Sequence, residues 1–294
     1  MEAITMLHIG LIGQAIAASR SPSLHMMLGE LKQLPVDYQL QVPEDDTAES
    51  FNVKLAEIRA LGFVGTNVTF PYKQIAIDSA DEVNDAVKKV GASNTLLLKD
   101  GKVCAFNTDY TGFIRGYKGR VGHSLAGNVP AGKVLMIGAG GVGRAIGFAL
   151  FEVGATEVLV TDLSERSAQS LVDAINEAGY KARVVAKEDI AEAAAEVDGL
   201  VNCTPVGHLK SPGMPLAAEL IQGQKWAFDA VYTPMDTEFL VEANKKGLQI
   251  VSGFDLFFYQ GIDAFEIFTG QEITDVKPVW DQFREKYNVV SSLI

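Results

Sequence analysis

Along the first half of the chain, short apolar runs alternate with stretches whose hydrophobic residues recur at helical spacing, which predicts strands and helices in turn. "LHIGLIG" from Leu7 reads as a strand, and "SPSLHMMLGELK" as a helix with Ser21 as N-cap and Pro22 at its first position. "VDYQLQV" alternates like a strand, "TAESFNVKLAEIRALG" has a helical period that Gly62 stops, and "FVGTNVT" is again strand-like. "NTLLLK" and "KVCAFN" flank Asp100-Gly101, a hairpin signal. "TDYTGFIRGYKG" then predicts two short helices or one broken helix, and the Gly-rich "RVGHSLAGNVPAG" reads as a linker.

The rhythm restarts more regularly beyond it. "KVLMIG", "EVLVTD", "ARVVA", "GLVNCT", "KWAFDAV" and "LQIVS" are short apolar runs separated by helical patterns, as expected of a parallel sheet covered on both faces. "FDLFFYQGIDAFEIFTG" and "VKPVWDQFREKYNVV" close the chain as amphipathic helices. The fold class expected is α/β. A length of 294 residues is long for one core, so two domains are expected.

Composition narrows the partners. With 48% apolar and 21% charged residues the chain is an ordinary globular one, and its net charge of −12 argues against nucleic acid or an anionic membrane. Any small anion must therefore be met by local donors. Cys104 and Cys203 lie far apart, and the histidines show no metal-ligand spacing, so no metal is expected. With an acid at position 2 and no long apolar run, "MEAITMLHIGLIG" reads as neither a signal peptide nor a membrane span, and a reduced cytoplasmic setting is the expectation.

The strongest local motif is "IGAGGVG". Gly138, Gly140 and Gly143 stand in G-x-G-x-x-G register after a strand and at the start of a helix, where backbone amides can meet a pyrophosphate. Ala139, Gly141 and Val142 complete that loop. Asp162 follows at a second strand's end, roughly 20 residues on, where a carboxylate can bind both ribose hydroxyls and repel a 2′-phosphate. Arg166 could swing in to accept such a phosphate, but Glu165 adjoins it, so NAD is favoured over NADP. Asp162 could also cap the helix starting near Ser164.

Three stretches of the first half are polar where their flanks are apolar: "SRSPSLH", "NVTFPYK" and "GASNT" with "FNTD". Taken singly, each admits a plain account as helix caps, turn formers or a solvated lysine. Together with "NTDYTGF", "IGAGGVG", "NCTPVG", "DAVYTPMDT" and "YQGIDAFEIFTG", their order and spacing resemble the shikimate dehydrogenases, including the quinate/shikimate dehydrogenases, over nearly the whole chain.

The resemblance implies a substrate-binding α/β domain over residues 1–115, completed by C-terminal helices from about 254 to 294, and a Rossmann dinucleotide-binding domain over residues 116–253. It implies that Ser19, Ser21 and Tyr232 bind the substrate carboxylate. Lys73, Asn94, Asp109 and Gln260 would hold the ring hydroxyls beside Thr69, with Lys73 and Asp109 as the catalytic pair. Cys203, Thr204, Pro205, Val231 and Gly253 would join the glycine loop at the cofactor. The implied reaction moves a hydride between NAD, or less favourably NADP, and a ring alcohol of a cyclohexene or cyclohexane carboxylate, in a monomer or homodimer. The alternatives are a member acting on another substrate, such as an aminoshikimate, or a non-catalytic dinucleotide sensor. Oxidation of a secondary alcohol needs a proton acceptor beside the hydroxyl, and Lys73 could serve as a base of depressed pKa or as an ammonium that stabilises the alkoxide while Asp109 relays the proton. The chain departs from the family at Met26, at His208 (a loop histidine with no role is expected there), and at Leu256 and Phe257, beside Phe258 and Tyr259, positions that by resemblance border the nicotinamide and the substrate ring.

Overall fold

A computed structural model describes residues 6–121 and 129–293. Of the predicted linker, residues 122–128 lie outside the described residues, as do residues 1–5 of the opening segment. The chain divides into two compact units: Met1–Thr108 with Gln260–Val289, and Asp109–Tyr259 with Val290–Ile294.

The first unit begins with β1 (Leu7–Ile12), α1 (Ser21–Lys32), β2 (Val36–Gln41), α2 (Ala48–Ala60) and β3 (Gly65–Val68), followed by α3 (Ile75–Asp78), β4 (Glu82–Val83), α4 (Asp85–Val90), β5 (Thr95–Lys99) and β6 (Lys102–Phe106). Its sheet runs in the order β2-β1-β3-β5-β6-β4. β1, β2 and β3 are parallel, but β5 runs antiparallel to β3 and pairs with β6 as the expected hairpin, whose turn residues Asp100 and Gly101 both have positive φ (53° and 77°). Ile12, Phe51, Leu55, Ile58, Val68, Tyr72 and Leu96 fill one side of the sheet. Ile9, Leu11, Ile16 and Tyr38 fill the other, against Ala264 and Phe268 from the C-terminal return.

Helix α1 corrects one expectation. Its N-cap is Arg20, without a side-chain cap bond, and Ser21 is already helical; the Ser19 hydroxyl accepts the Ser21 amide at 3.3 Å. Lys73 lies outside any helix. It lies in the turn that precedes α3, which starts only at Ile75.

The second unit starts within α5 (Thr108–Arg120), which is one continuous helix where two or a broken one were expected. It continues through β7 (Gly132–Ile137), α6 (Gly141–Glu152), β8 (Ala155–Thr161), α7 (Glu165–Glu177), β9 (Ala182–Val184), α8 (Ile190–Ala195), β10 (Gly199–Asn202), β11 (Trp226–Asp229), α9 (Glu238–Lys245) and β12 (Gln249–Val251). Between β10 and β11 stands only a 3-10 turn, Ala218–Leu220, where a helical spacing was expected. α10 (Gly253–Thr269) carries the chain back to the first unit, and α11 (Lys277–Lys286) follows.

All strands of the second sheet are parallel, in the order β12-β11-β10-β7-β8-β9. Numbered within the unit, that is the doubly wound order whose switch point lies between its first and fourth strands, where ligands gather at the carboxyl ends. Buried on both faces, these strands read as continuous apolar runs.

Candidate functional site

In the first unit, strand direction gathers the polar clusters. β1 and β3 end at Ile12 and Val68, antiparallel β5 starts at Thr95 opposite Asn67, and β6 ends at Phe106 opposite Thr95. "SRSP", "NVTFPYK", "GASNT" and "NTD" therefore leave the sheet at one end. Thr69 donates its amide to Ile12 O (2.9 Å), and Lys73 O accepts the Ser93 amide (2.7 Å), which ties the lysine's turn to the segment bearing Asn94.

A buried network stiffens that end. Tyr38 Oη donates to Asn67 Oδ1 (2.9 Å), Asn67 Nδ2 donates to Thr95 Oγ1 (3.1 Å), and Asn94 Nδ2 donates to Thr108 Oγ1 (3.0 Å). The Thr108 amide returns to Asn94 Oδ1 (2.7 Å). Asn94 is thus oriented from both ends of its amide, with 3% exposure. Tyr38 and Thr108 were not singled out in the sequence; each earns its place through partners that sheet pairing brings together. The His25 ring packs tilted against Tyr38, with centroids 4.7 Å apart and planes at 34°, and burial drives its pKa down to about 3, so this imidazole is neutral packing. Ser19, Ser21, Thr69, Lys73 and Gln260 are half-buried. Next to Gln260, a Cβ on Gly261 would stand 2.4 Å from Leu24 Cδ2, so glycine there lets α10 lie close on α1, the helix that Ser21 opens.

In the second unit the glycine motif shows why each glycine is needed. Gly138 has φ +102°, and a Cβ there would meet the Cys203 carbonyl carbon at 2.7 Å; one on Gly143 would meet Gly138 O at 2.3 Å. These two allow β7, α6 and the β10 loop to touch. Gly140, the exposed N-cap of α6, has nothing within 4 Å of its Cβ position, so its backbone is open to a ligand at the helix N-terminus. Gly141 and Val142 open that helix, and Gly143 is buried in its first turn.

Asp162, just past β8, is held through both oxygens: Oδ2 accepts the Ala139 amide and Oδ1 the Ser164 amide, each at 2.7 Å. The cap of α7 is Ser164, not Asp162. Beside the carboxylate lies a cavity of about 800 Å³, lined by Leu163, Arg166, Gln169, Lys187 and Thr204 among others. Lys187 is a second cation in this cavity that sequence spacing did not single out. These features fit a dinucleotide: an open helix N-terminus for phosphates and a fixed carboxylate for a ribose.

The carboxyl ends of β10 and β11 are locked together. Fully buried Asp229 accepts from Asn202 Nδ2 (2.9 Å), the Val231 amide (2.9 Å) and Thr237 Oγ1 (2.8 Å), while Asn202 Oδ1 accepts the Thr204 amide (3.0 Å) and hydroxyl (2.7 Å). Burial outweighs these donors and lifts the Asp229 pKa to about 7. The Cys203 thiol is pushed upward by burial, with the Asp229 and Asp109 carboxylates adding to it. Asp109 thus lies near the "NCTP" loop, in which Pro205 O accepts the His208 amide (3.1 Å). His208 Nδ1 in turn takes the Lys210 amide (3.0 Å), a turn contact within the loop. A Cβ on Gly253 would stand 2.5 Å from Val231 O, so α10 starts flush against the loop bearing Val231 and half-buried Tyr232. Lys73, the serines, Asn94 and Gln260 belong to the first unit, whereas Asp109 and Tyr232 belong to the second. Among the described residues no helix is long and apolar enough to cross a membrane, and no cluster of acidic, His or Cys side chains could hold a metal.

Comparison with known proteins agrees with this architecture. Residues 11–96 match the shikimate dehydrogenase substrate binding domain. A shikimate dehydrogenase (NADP(+)) of Pseudarthrobacter chlorophenolicus is 34% identical over 273 residues, 89% of each chain. A quinate/shikimate dehydrogenase (NAD(+)) of Corynebacterium efficiens is 35% identical, covering 90% of this chain and 93% of its own. Quinate dehydrogenase from Corynebacterium glutamicum, solved in complex with NAD, superposes with a TM-score of 0.85 at 32% identity, covering 97% of this chain and 100% of that one. Shikimate 5-dehydrogenase from Thermus thermophilus, solved with NADP(H) and shikimate, gives 0.80 at 35% identity, covering 95% and 99%. With relatives of this identity along nearly its whole length, the chain belongs to the shikimate dehydrogenase family, oxidoreductases in which an N-terminal substrate domain is joined to a Rossmann-like domain.

Proposed function

We propose that this chain is a shikimate or quinate dehydrogenase that prefers NAD. The observation that supports it most is the gathering of the serine, lysine and asparagine clusters at one end of the first sheet, in a chain whose second unit has an open helix N-terminus and a fixed carboxylate. The dinucleotide supplies the hydride acceptor when bound; the side chains do the rest. Gly140 and the first turn of α6 take the phosphates, with Ala139, Gly141 and Val142 shaping the loop and Gly138 and Gly143 its packing. Cys203, Thr204, Pro205, Val231 and Gly253 form the loops at the nicotinamide end. Ser19, Ser21 and Tyr232 give hydroxyl hydrogens to the substrate carboxylate, and Thr69, Asn94 and Gln260 hold ring hydroxyls. Lys73 meets the reacting oxygen and, with Asp109, manages its proton.

NAD preference rests on Asp162. With one lone pair of each oxygen fixed on a backbone amide, the carboxylate cannot turn away from a 2′-phosphate, and Glu165 tempers Arg166. Steady-state rates read at the reduced-nicotinamide band, with shikimate and quinate and each dinucleotide, test this. The expected result is higher kcat/KM with NAD, and a smaller gap in Asp162→Ala; a wild-type preference for NADP would refute the assignment.

A further inference from the structure

The loop that bears Tyr232 has little backbone freedom. The Ala230 amide donates to Asn202 O (2.8 Å), the Val231 amide to Asp229 Oδ1 (2.9 Å), and Gly253 abuts Val231 O so closely that no side chain fits between them. What is left to the Tyr232 side chain is rotation about its own torsions. One turn along α10 from Gly253, the Phe257 ring lies parallel to the Tyr232 ring, with centroids 5.0 Å apart and planes 15° from each other. Phe257 is only 7% exposed and is itself backed by Phe254 at 6.3 Å. A flat, buried ring can fix the plane of another; an aliphatic branch offers no plane to match.

We propose that Phe257 is a positioning residue for the substrate: it holds the Tyr232 phenol in one ring orientation, so that its hydroxyl is already aimed when a carboxylate ligand arrives. The inference rests on the reading that Tyr232 donates to the substrate carboxylate. Its effect falls on binding, because a donor fixed in advance loses less rotational freedom when the ligand is captured. A stacked aromatic pair of this geometry corresponds to about three- to tenfold in affinity.

The test is steady-state kinetics of F257L, F257Y, Y232F and the F257L/Y232F pair with shikimate and quinate, alongside thermal unfolding. F257L should raise KM for the active carboxylate about three- to tenfold, with kcat falling less than KM rises and KM for the dinucleotide within about twofold. F257Y keeps the ring and should restore KM to within about twofold. In the Y232F background F257L should add nothing, since the phenol it aims is gone. An unchanged KM in F257L, or an equal increase in both backgrounds, overturns the proposal while Y232F alone still raises KM. If Y232F itself leaves KM unchanged for every active substrate, it is the reading of Tyr232 as a carboxylate donor that fails, and the proposal with it.

Discussion

Lys73 and the two serines are proposed for separable roles, and kinetics can tell them apart. Lys73→Ala should lower kcat at least about a hundredfold with KM within an order of magnitude, whereas Ser19→Ala and Ser21→Ala should each raise KM about tenfold and disturb kcat less. Near-normal turnover without the Lys73 amine would return it to a solvated turn residue. Asp229 allows a pH prediction. Its folded-state pKa of about 7 stands above the ordinary carboxylate value, so the native protein keeps a proton that the unfolded chain has released. The stability tied to that proton is complete below about pH 4 and is lost as pH rises through 7, each pH unit crossed in between costing about 1.4 kcal/mol. Thermal midpoints of Asp229→Asn against wild type should therefore move in the variant's favour from pH 5 to pH 8; a constant difference would mean that Asp229 stays ionised throughout. Residues whose meaning is local were legible in the sequence: Asp162 announces itself by its distance from the glycines. Tyr38 and Thr108 were not, because their partners, Asn67 on β3 and Asn94 just before β5, come within reach only once the sheet has formed.

At the scale of elements, the glycine motif divides into two physical jobs. Gly143→Ala would drive a methyl group into Gly138 O, so both the thermal midpoint and dinucleotide affinity should fall. Gly140→Ala meets no protein atom within 4 Å and has ordinary φ, so the midpoint should hold while dinucleotide affinity falls; equal loss of stability in both variants would contradict the division. The strands and most helices were legible because burial on both faces writes continuous apolar runs and the hairpin writes Asp-Gly. Misreadings came where a polar residue could serve two purposes. Ser21 resembles a cap, yet it is Ser19 whose hydroxyl takes the amide, one peptide before the actual cap position. The glycines at 112, 116 and 119 suggested a break in α5, but a Cβ on Gly116 would lie 3.2 Å from Asp255, so packing against α10 explains that glycine without any break.

For the whole molecule, charge and connectivity matter most. A net charge of −12 repels a carboxylate substrate at a distance that salt shortens, so kcat/KM should rise as ionic strength goes from about 0.01 to 0.15 M. A fall over that range would place a cationic funnel at the site. Connectivity was legible only in outline. Apolar periodicity showed that the last helices exist, but not that the division between the units passes inside one of them, between Tyr259 and Gln260 of α10. That return has a consequence for how the protein is made. Ala264 and Phe268 complete the core around Ile9, Leu11 and Tyr38, yet the ribosome reaches them only after the whole stretch Asp109–Tyr259 has been synthesised. At roughly 5–20 residues per second the delay is on the order of ten seconds. Throughout it the residues around Ile9, Leu11 and Tyr38 wait for the apolar side chains of α10, so this core closes only long after its own strands have been made.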